Sequence, residues 1–107
     1  MRHAALGDLF KVLADPTRRA VFERLTREGE ATVAELTATA GVSQPAVSQH
    51  LAVLRSAGLV AERKAGRNTH YRAEPRSLTP LVDWIAHQDA FWRSRLGRLD
   101  DLLKELE

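Results

Sequence analysis

Apolar residues recur along this chain at two different periods, and the point where the period changes divides it. Leu6, Leu9, Phe10 and Leu13 fall on one face at about 100° per residue, which predicts a first short helix within residues 1–14. Asp15 followed by Pro16 reads as an N-cap and a proline at the first helical position, so a second helix is expected from Pro16 to about Arg27. Val21, Phe22 and Leu25 form its inward face, and Gly29 ends it. Thr32 and Glu35 have capping-box spacing, which predicts a third helix over Val33 to Ala40 with Val33, Leu36 and Ala40 inward. Gly41 and Val42 then lead to Ser43, a good N-cap for a fourth helix whose Val47, Leu51 and Leu54 share one stripe. Gly58 supplies its left-handed stop, with Leu59 placed to fold back on the last turn.

After Gly58 the period shortens. Leu59 to Lys64 and Thr69 to Glu74 have strand character, joined by Ala65, Gly66, Arg67 and Asn68, where the glycine and the asparagine can take positive φ. Helical spacing then returns. Thr79 is read as the cap and Pro80 as the start of a last helix reaching about Leu106. The fold class expected is mainly α with a small β-hairpin: a winged helix-turn-helix of five helices, with the wing between the fourth and fifth. One domain accounts for residues 1–107, divided into a helix-turn-helix over about 33–57, a wing over about 59–74 and a closing helix over about 80–106.

The outward face of the fourth helix is unlike an ordinary solvated surface. Gln44, Pro45, Ser48, Gln49, Ala52 and Arg55 occupy it, uncharged at the start and rich in amides and hydroxyls. Side chains that donate and accept at once, beside small neighbours that allow close approach, suit base edges in a DNA major groove. The plainer alternative is an amphipathic core helix with a bland polar side. His50 sits at the flank of the buried stripe, next to Leu51 and Leu54, and fits a packed structural role better than a base contact.

Charge sharpens the contrast. Residues 1–41 are neutral, residues 42–76 carry six basic and two acidic side chains for a net +4, and residues 77–107 carry −2. The positive excess therefore lies on the fourth helix and the hairpin, where contact with a phosphate backbone needs it. Arg63, Lys64, Arg67, His70 and Arg72 crowd the hairpin, and a narrow ribbon tipped with arginine can lie along an adjacent minor groove. Equally, lysine and arginine on a solvated hairpin discourage edge pairing. Composition adds limits: 107 residues with 44% hydrophobic content allow one small core, and no cysteine is present to form disulfides or thiolate metal ligands. No apolar run approaches a membrane span, and Arg2, Asp8 and Lys11 interrupt the start of the chain, so no signal peptide is expected and a cytoplasmic location is.

The segments DPTRRAVFERL, SQPAVSQHLAVLRSAGLV and GRNTHYR, in this order of elements, closely resemble the ArsR-type (ArsR/SmtB) winged-helix repressors over nearly the whole chain. The middle segment is the specific part, far longer than a chance helix-turn-helix match. The resemblance implies a homodimeric repressor of its own or a neighbouring operon, bound to an inverted-repeat operator in double-stranded DNA. Carried over by position, Gln44, Ser48 and Gln49 face bases, Ser43 and Arg55 help fix phosphates, and Arg67 serves the wing; Pro45, Arg63 and Lys64 complete the expected DNA-binding set. The departure lies in sensing. Arsenic- and cadmium-sensing members carry a cysteine pair near the start of the third helix, where this chain has Ala34, Glu35, Leu36, Thr37 and Ala38. Zinc-sensing members carry Asp and His with His and Glu on the final helix; here only Asp83 and His87 match, two ligands where three or four are usual. No metal or other cofactor is expected, and the effector is left open.

The final helix speaks for a second chain. Leu96, Leu99, Leu103 and Leu106 follow steps of three, four and three, preceded by Leu81, Ile85, Gln88 and Trp92 at steps of four, three and four. Trp84, Phe91 and Leu102 widen that surface. Three short helices cannot cover so much of it, so Leu81, Ile85, Trp92, Leu96, Leu99 and Leu103, with Leu6, Leu9 and Phe10, are expected at a two-fold dimer interface. Two other function classes compete. Catalysis lacks support, because Ser48, Ser56, Ser77 and Ser94 have no motif context and no phosphate loop or carboxylate pair occurs. A winged-helix module that binds protein without specific DNA recognition is the remaining alternative.

Overall fold

A computed structural model describes residues 5–106. The elements in chain order are α1 (Leu6–Ala14), α2 (Pro16–Glu28), β1 (Ala31–Thr32), α3 (Val33–Ala40), α4 (Gln44–Ser56), β2 (Val60–Ala65), β3 (Asn68–Ala73) and α5 (Thr79–Glu105). The first four residues of the span that predicts α1 lie outside the described residues.

Local signals account for most of these boundaries. The Asp15 carboxylate accepts from the Arg18 amide at 2.9 Å, with Pro16 just inside the helix, and so satisfies a donor that the first turn leaves unpaired. The capping box of α3 is complete: Thr32 Oγ1 accepts from the Glu35 amide at 3.2 Å while Glu35 Oε1 accepts from the Thr32 amide at 3.0 Å. Ser43 Oγ accepts from the Ala46 amide at 3.3 Å and starts α4. Gly58, at φ 78°, reverses the chain so that the Leu59 amide donates to the Leu54 carbonyl at 2.9 Å.

The sheet is larger than the hairpin expected from sequence. Strand order is β1-β3-β2, all antiparallel, with Ala31 opposite Tyr71 and Thr32 opposite His70. The strands of the hairpin are shifted by one residue from the expected runs, to Val60–Ala65 and Asn68–Ala73, and the loop shrinks to Gly66 and Arg67. Only Gly66 takes positive φ, at 64°; Asn68 is already in the ladder, opposite Ala65, and has no need of it. At the far end, Thr79 is the first helical residue of α5 and not its cap. The Thr79 amide donates to the Arg76 carbonyl at 3.2 Å and Ser77 Oγ donates to the Glu74 carbonyl at 2.7 Å, so a turn feeds the chain into the helix one residue early, with Leu78 at the cap.

The core gathers Leu9, Val12, Val21, Phe22, Leu25, Ala31, Leu36, Val47, Leu51, Leu54, Leu59 and Val60. It joins α1 to α4 and the base of the sheet. Leu9, grouped by its stripe with the surface for another chain, belongs instead to this core at 1% exposure, because the turn at Asp15 folds α1 back onto α2. Leu6 is half-buried and Phe10 remains exposed; Phe10 meets Trp84 of α5 edge to face, ring centroids 5.4 Å apart. Leu81 packs on the margin of the core. Beyond it α5 contributes no buried residue and extends along a molecule 70 Å in its longest dimension.

Candidate nucleic-acid interface

Helix α4 presents the two faces its sequence implied. Val47, Leu51 and Leu54 are fully buried, whereas Ser43, Gln44, Pro45, Ser48, Gln49, Ala52 and Arg55 are all exposed. Burial of three branched side chains on one stripe leaves the helix no freedom to rotate, so the amides and hydroxyls are held outward by core packing. His50 is half-buried and its Nδ1 is sealed from solvent with no hydrogen-bond partner among the described residues, so it is a packed side chain off the exposed polar face.

α3 braces α4 through the turn at Gly41, which adopts φ 72°. Arg24 of α2 steadies α3 in turn: its Nη1 donates to Thr39 Oγ1 at 2.9 Å, while its Nε donates to Glu28 at 2.7 Å. A cavity of about 300 Å³ lies beside this contact, between α2 and α3.

The basic residues expected at DNA do not form one group. Alternation along β2 puts Glu62 and Lys64 on the face of Val60, toward the core and α4, and Arg63 on the opposite, outer face. There Arg63 donates to the Glu30 carboxylate, and His70 Nδ1 lies 3.5 Å from the same oxygen. Arg63, assigned to DNA by charge alone, is therefore drawn to the far side of the sheet. On the inner face Arg55 Nη1 meets Glu62 Oε1 at 3.0 Å, joining α4 to the hairpin. Lys64 and Arg67 are exposed near the tip, beyond both carboxylates.

The pair on the outer face shifts both Glu30 and Arg63. Glu30 is held below the usual carboxylate range, chiefly by the hydrogen bond from Arg63, and Arg63 is raised by the same bond. Tyr71, opposite Glu62 in the ladder, is pushed up first by burial and then by the Glu62 charge. Sequence patterns single out neither Glu30 nor Glu62. The Arg55–Glu62 contact joins a helix to a strand, which neither the helical period nor the hairpin register relates; Glu30 and Arg63 are separated by 33 residues and meet only through β1, whose two residues give no period. Asp83 and His87 are both exposed on α5, and among the described residues no cluster of three metal-ligating side chains occurs.

A family model described as a helix-turn-helix domain matches residues 13–63, which take in α2, α3, α4 and the start of the wing. The chain is 37% identical over 99 residues to the arsenical resistance operon repressor of Escherichia coli, covering 92% of this chain and 81% of that protein. It is 45% identical over 87 residues to an HTH-type transcriptional regulator of Mycobacterium tuberculosis, covering 81% and 78%. The chain belongs to the ArsR family.

The solved structures agree. An ArsR family transcriptional regulator superposes with TM-score 0.74 at 38% identity, over 83% of this chain and 91% of the other. An ArsR-like transcriptional regulator from Rhodococcus gives the same TM-score at 30% identity, over 91% of each. These ArsR relatives are regulators of transcription and not enzymes, and this member is likewise a DNA-binding regulator. No helix among its described residues is long and apolar enough to cross a membrane.

Proposed function

We propose that this ArsR family member is a homodimeric repressor that acts in the cytoplasm, reads an inverted-repeat operator with α4 and steadies itself on the backbone with the wing. Gln44, Ser48 and Gln49 contact base edges; Ser43 and Pro45 fit the helix start against the phosphates and Arg55 meets them from its last turn; Lys64 and Arg67 approach the neighbouring groove. The observation that carries the reading is the exposed face of amides and hydroxyls, uncharged until Arg55, on a helix whose opposite stripe is locked into the core. Two copies are needed because Leu96, Leu99 and Leu103 of α5 are 62%, 52% and 54% exposed in the single chain. Leu81, Ile85 and Trp92 continue that surface, with Leu6 and Phe10 of α1 alongside. A two-fold pairing through it supports two reading helices about 34 Å apart, one turn of DNA.

A mobility shift with duplex DNA from upstream of the protein's own gene tests this. Retarded bands with an inverted repeat, abolished by an unlabelled copy and not by random duplex, are expected. Equal competition by random duplex would reject specific reading. No metal enters the proposal: one relative is named for arsenical resistance, but this sequence contains no cysteine to bind arsenic as thiolate.

A further inference from the structure

Glu30 occupies an unusual place, just before the two-residue strand β1 and on the outer face of the sheet. From there its carboxylate reaches His70 on the central strand β3 and Arg63 on the far strand β2. β1 and β2 are not neighbours in the ladder, so this side chain spans a strand that backbone hydrogen bonds alone leave between them. We propose that Glu30 is a positioning residue for DNA binding: it clamps the wing at a fixed angle to the helix-turn-helix, so that Arg67 meets the backbone while α4 reads. The inference rests on the wing contact proposed above.

Three observations carry it. First, Thr32 is both the last residue of β1 and the cap of α3, so whatever is tied to β1 is tied to the helix-turn-helix without an intervening hinge. Second, that tie is thin: only Ala31 and Thr32 pair with β3, while the hairpin runs on to an unsupported tip at Gly66 and Arg67. The base of the hairpin is seated in the core through Leu59, Val60 and Tyr71, so it is the stretch beyond, toward Gly66, whose direction side-chain contacts fix. Third, Arg63 and His70 lie directly opposite each other on the outer face, and the Glu30 carboxylate contacts both, so one side chain ties both strands of the hairpin to the residue that precedes β1. Arg72, on the same face, meets Glu74 at 3.5 Å, which leaves Glu30 as the carboxylate shared by Arg63 and His70. Because Glu30 and Arg63 are partly exposed, the clamp adds little to overall stability, and its effect falls on the direction of the wing.

The test compares wild type, Glu30→Ala, Arg67→Ala, the double variant and the charge swap Glu30→Arg with Arg63→Glu, each as the full chain. Affinity is measured across salt concentrations for a duplex of about three helical turns selected from a random pool for tight binding. Melting curves check the fold. Arg67→Ala should lower the salt slope by roughly 0.9 per wing. Glu30→Ala should lower it equally and weaken binding about tenfold at 0.15 M salt with nearly unchanged melting, as one or two lost phosphate contacts would. Adding Arg67→Ala to Glu30→Ala should cost nothing more, and the swap should restore binding. Tighter binding by Glu30→Ala, or effects that simply add, would overturn the clamp while leaving the wing contact standing. If Arg67→Ala alone changes nothing, the wing contact fails and the clamp with it. Should Glu30→Ala melt early, the folded swap decides: wild-type binding supports the clamp, and binding as weak as Arg67→Ala refutes it.

Discussion

Arg55 of α4 and Glu62 of β2 stand 3.0 Å apart, and Glu62 in turn faces Tyr71 across the ladder. A residue assigned to phosphates is thus tied, in the DNA-free chain, to the element beside it. The side chains are 58% and 27% exposed, so the pair is worth only about 0–1 kcal/mol of stability.

Tyr71 offers a direct view of that contact, because it is the one tyrosine in the sequence. Its hydroxyl should titrate above the ordinary tyrosine value, and Glu62→Gln should bring it down only part of the way, since burial is the larger cause. Absorbance followed into alkaline solution measures this. A tyrosine that titrates normally in the folded wild type would show that the inner face of the wing is open. The same variant frees Arg55 for phosphate and should steepen the salt slope by up to roughly 0.9 per reading helix.

Base reading and backbone contact separate by substitution. Gln49→Ala should reduce discrimination between operator and random duplex by about 1–3 kcal/mol, the worth of a good bidentate contact, with the salt slope unchanged. Arg67→Ala should weaken both duplexes and flatten the slope. Titrations in which neither variant differs from wild type would remove α4 and the wing tip from the interface.

Acid should weaken the fold modestly through three identified carboxylates. Asp15, Glu30 and Glu35 are all lowered, principally by the Arg18 amide, by Arg63 and by the Thr32 amide respectively. Groups lowered in the folded state stabilise it above their unfolded values of 3.8 for Asp and 4.5 for Glu, and the stabilisation is lost as pH falls through the folded values. Denaturation midpoints measured from about pH 6 to pH 2 should therefore decline through this range. Asp15→Asn with Glu35→Gln should flatten the decline; an unchanged profile would place the acid sensitivity elsewhere.

What the sequence made legible and what it hid follow from the range of the interactions. Caps at Asp15, Thr32 and Ser43 act within three residues, and the stripe of α4 is a local periodicity, so both could be seen in the chain. The pairing of Ala31 with Tyr71 depends on the hairpin already being in place, and so does the meeting of Glu30 with Arg63. Charge counting placed Arg63 in a basic segment but not on a face of the sheet, which is why its assignment to DNA missed Glu30. Leu9 shows the same limit from the other side: an apolar stripe says that something covers it, while the tight turn at Asp15 decides that the cover is α2.

Metal should not control DNA binding. Asp83 and His87, four residues apart on exposed helix, offer two ligands, fewer than the three or four of a zinc site, and a surface pair at that spacing is an ordinary feature of solvated helices. Operator affinity with a chelator and then with added zinc should differ by less than about tenfold, or 1.4 kcal/mol. A larger shift that His87→Ala removed would establish a metal site on α5.

The proposed dimer rests on the surface that α5 leaves uncovered. The helix has 27 residues and spans about 40 Å, yet its stripe contributes nothing to the buried core. Ile85, Trp92, Leu96, Leu99 and Leu103 follow the three-four spacing that lets one helix insert its side chains between those of another. Exposed apolar surface of this extent on a small domain is costly in water, and covering it against a second copy removes the cost at both surfaces at once. Helix α1 joins the same face through Phe10 on Trp84. The core of α1 to α4 and the sheet is complete without α5 beyond Leu81, so charges placed far out on α5 should separate the chains without unfolding each one. Leu99→Glu with Leu103→Glu should accordingly sediment as a folded monomer, with the helix signal of α5 reduced, and operator affinity should collapse as the second reading helix is lost. A wild-type protein that sediments as a monomer at micromolar concentration and still binds its operator tightly would end the two-fold reading.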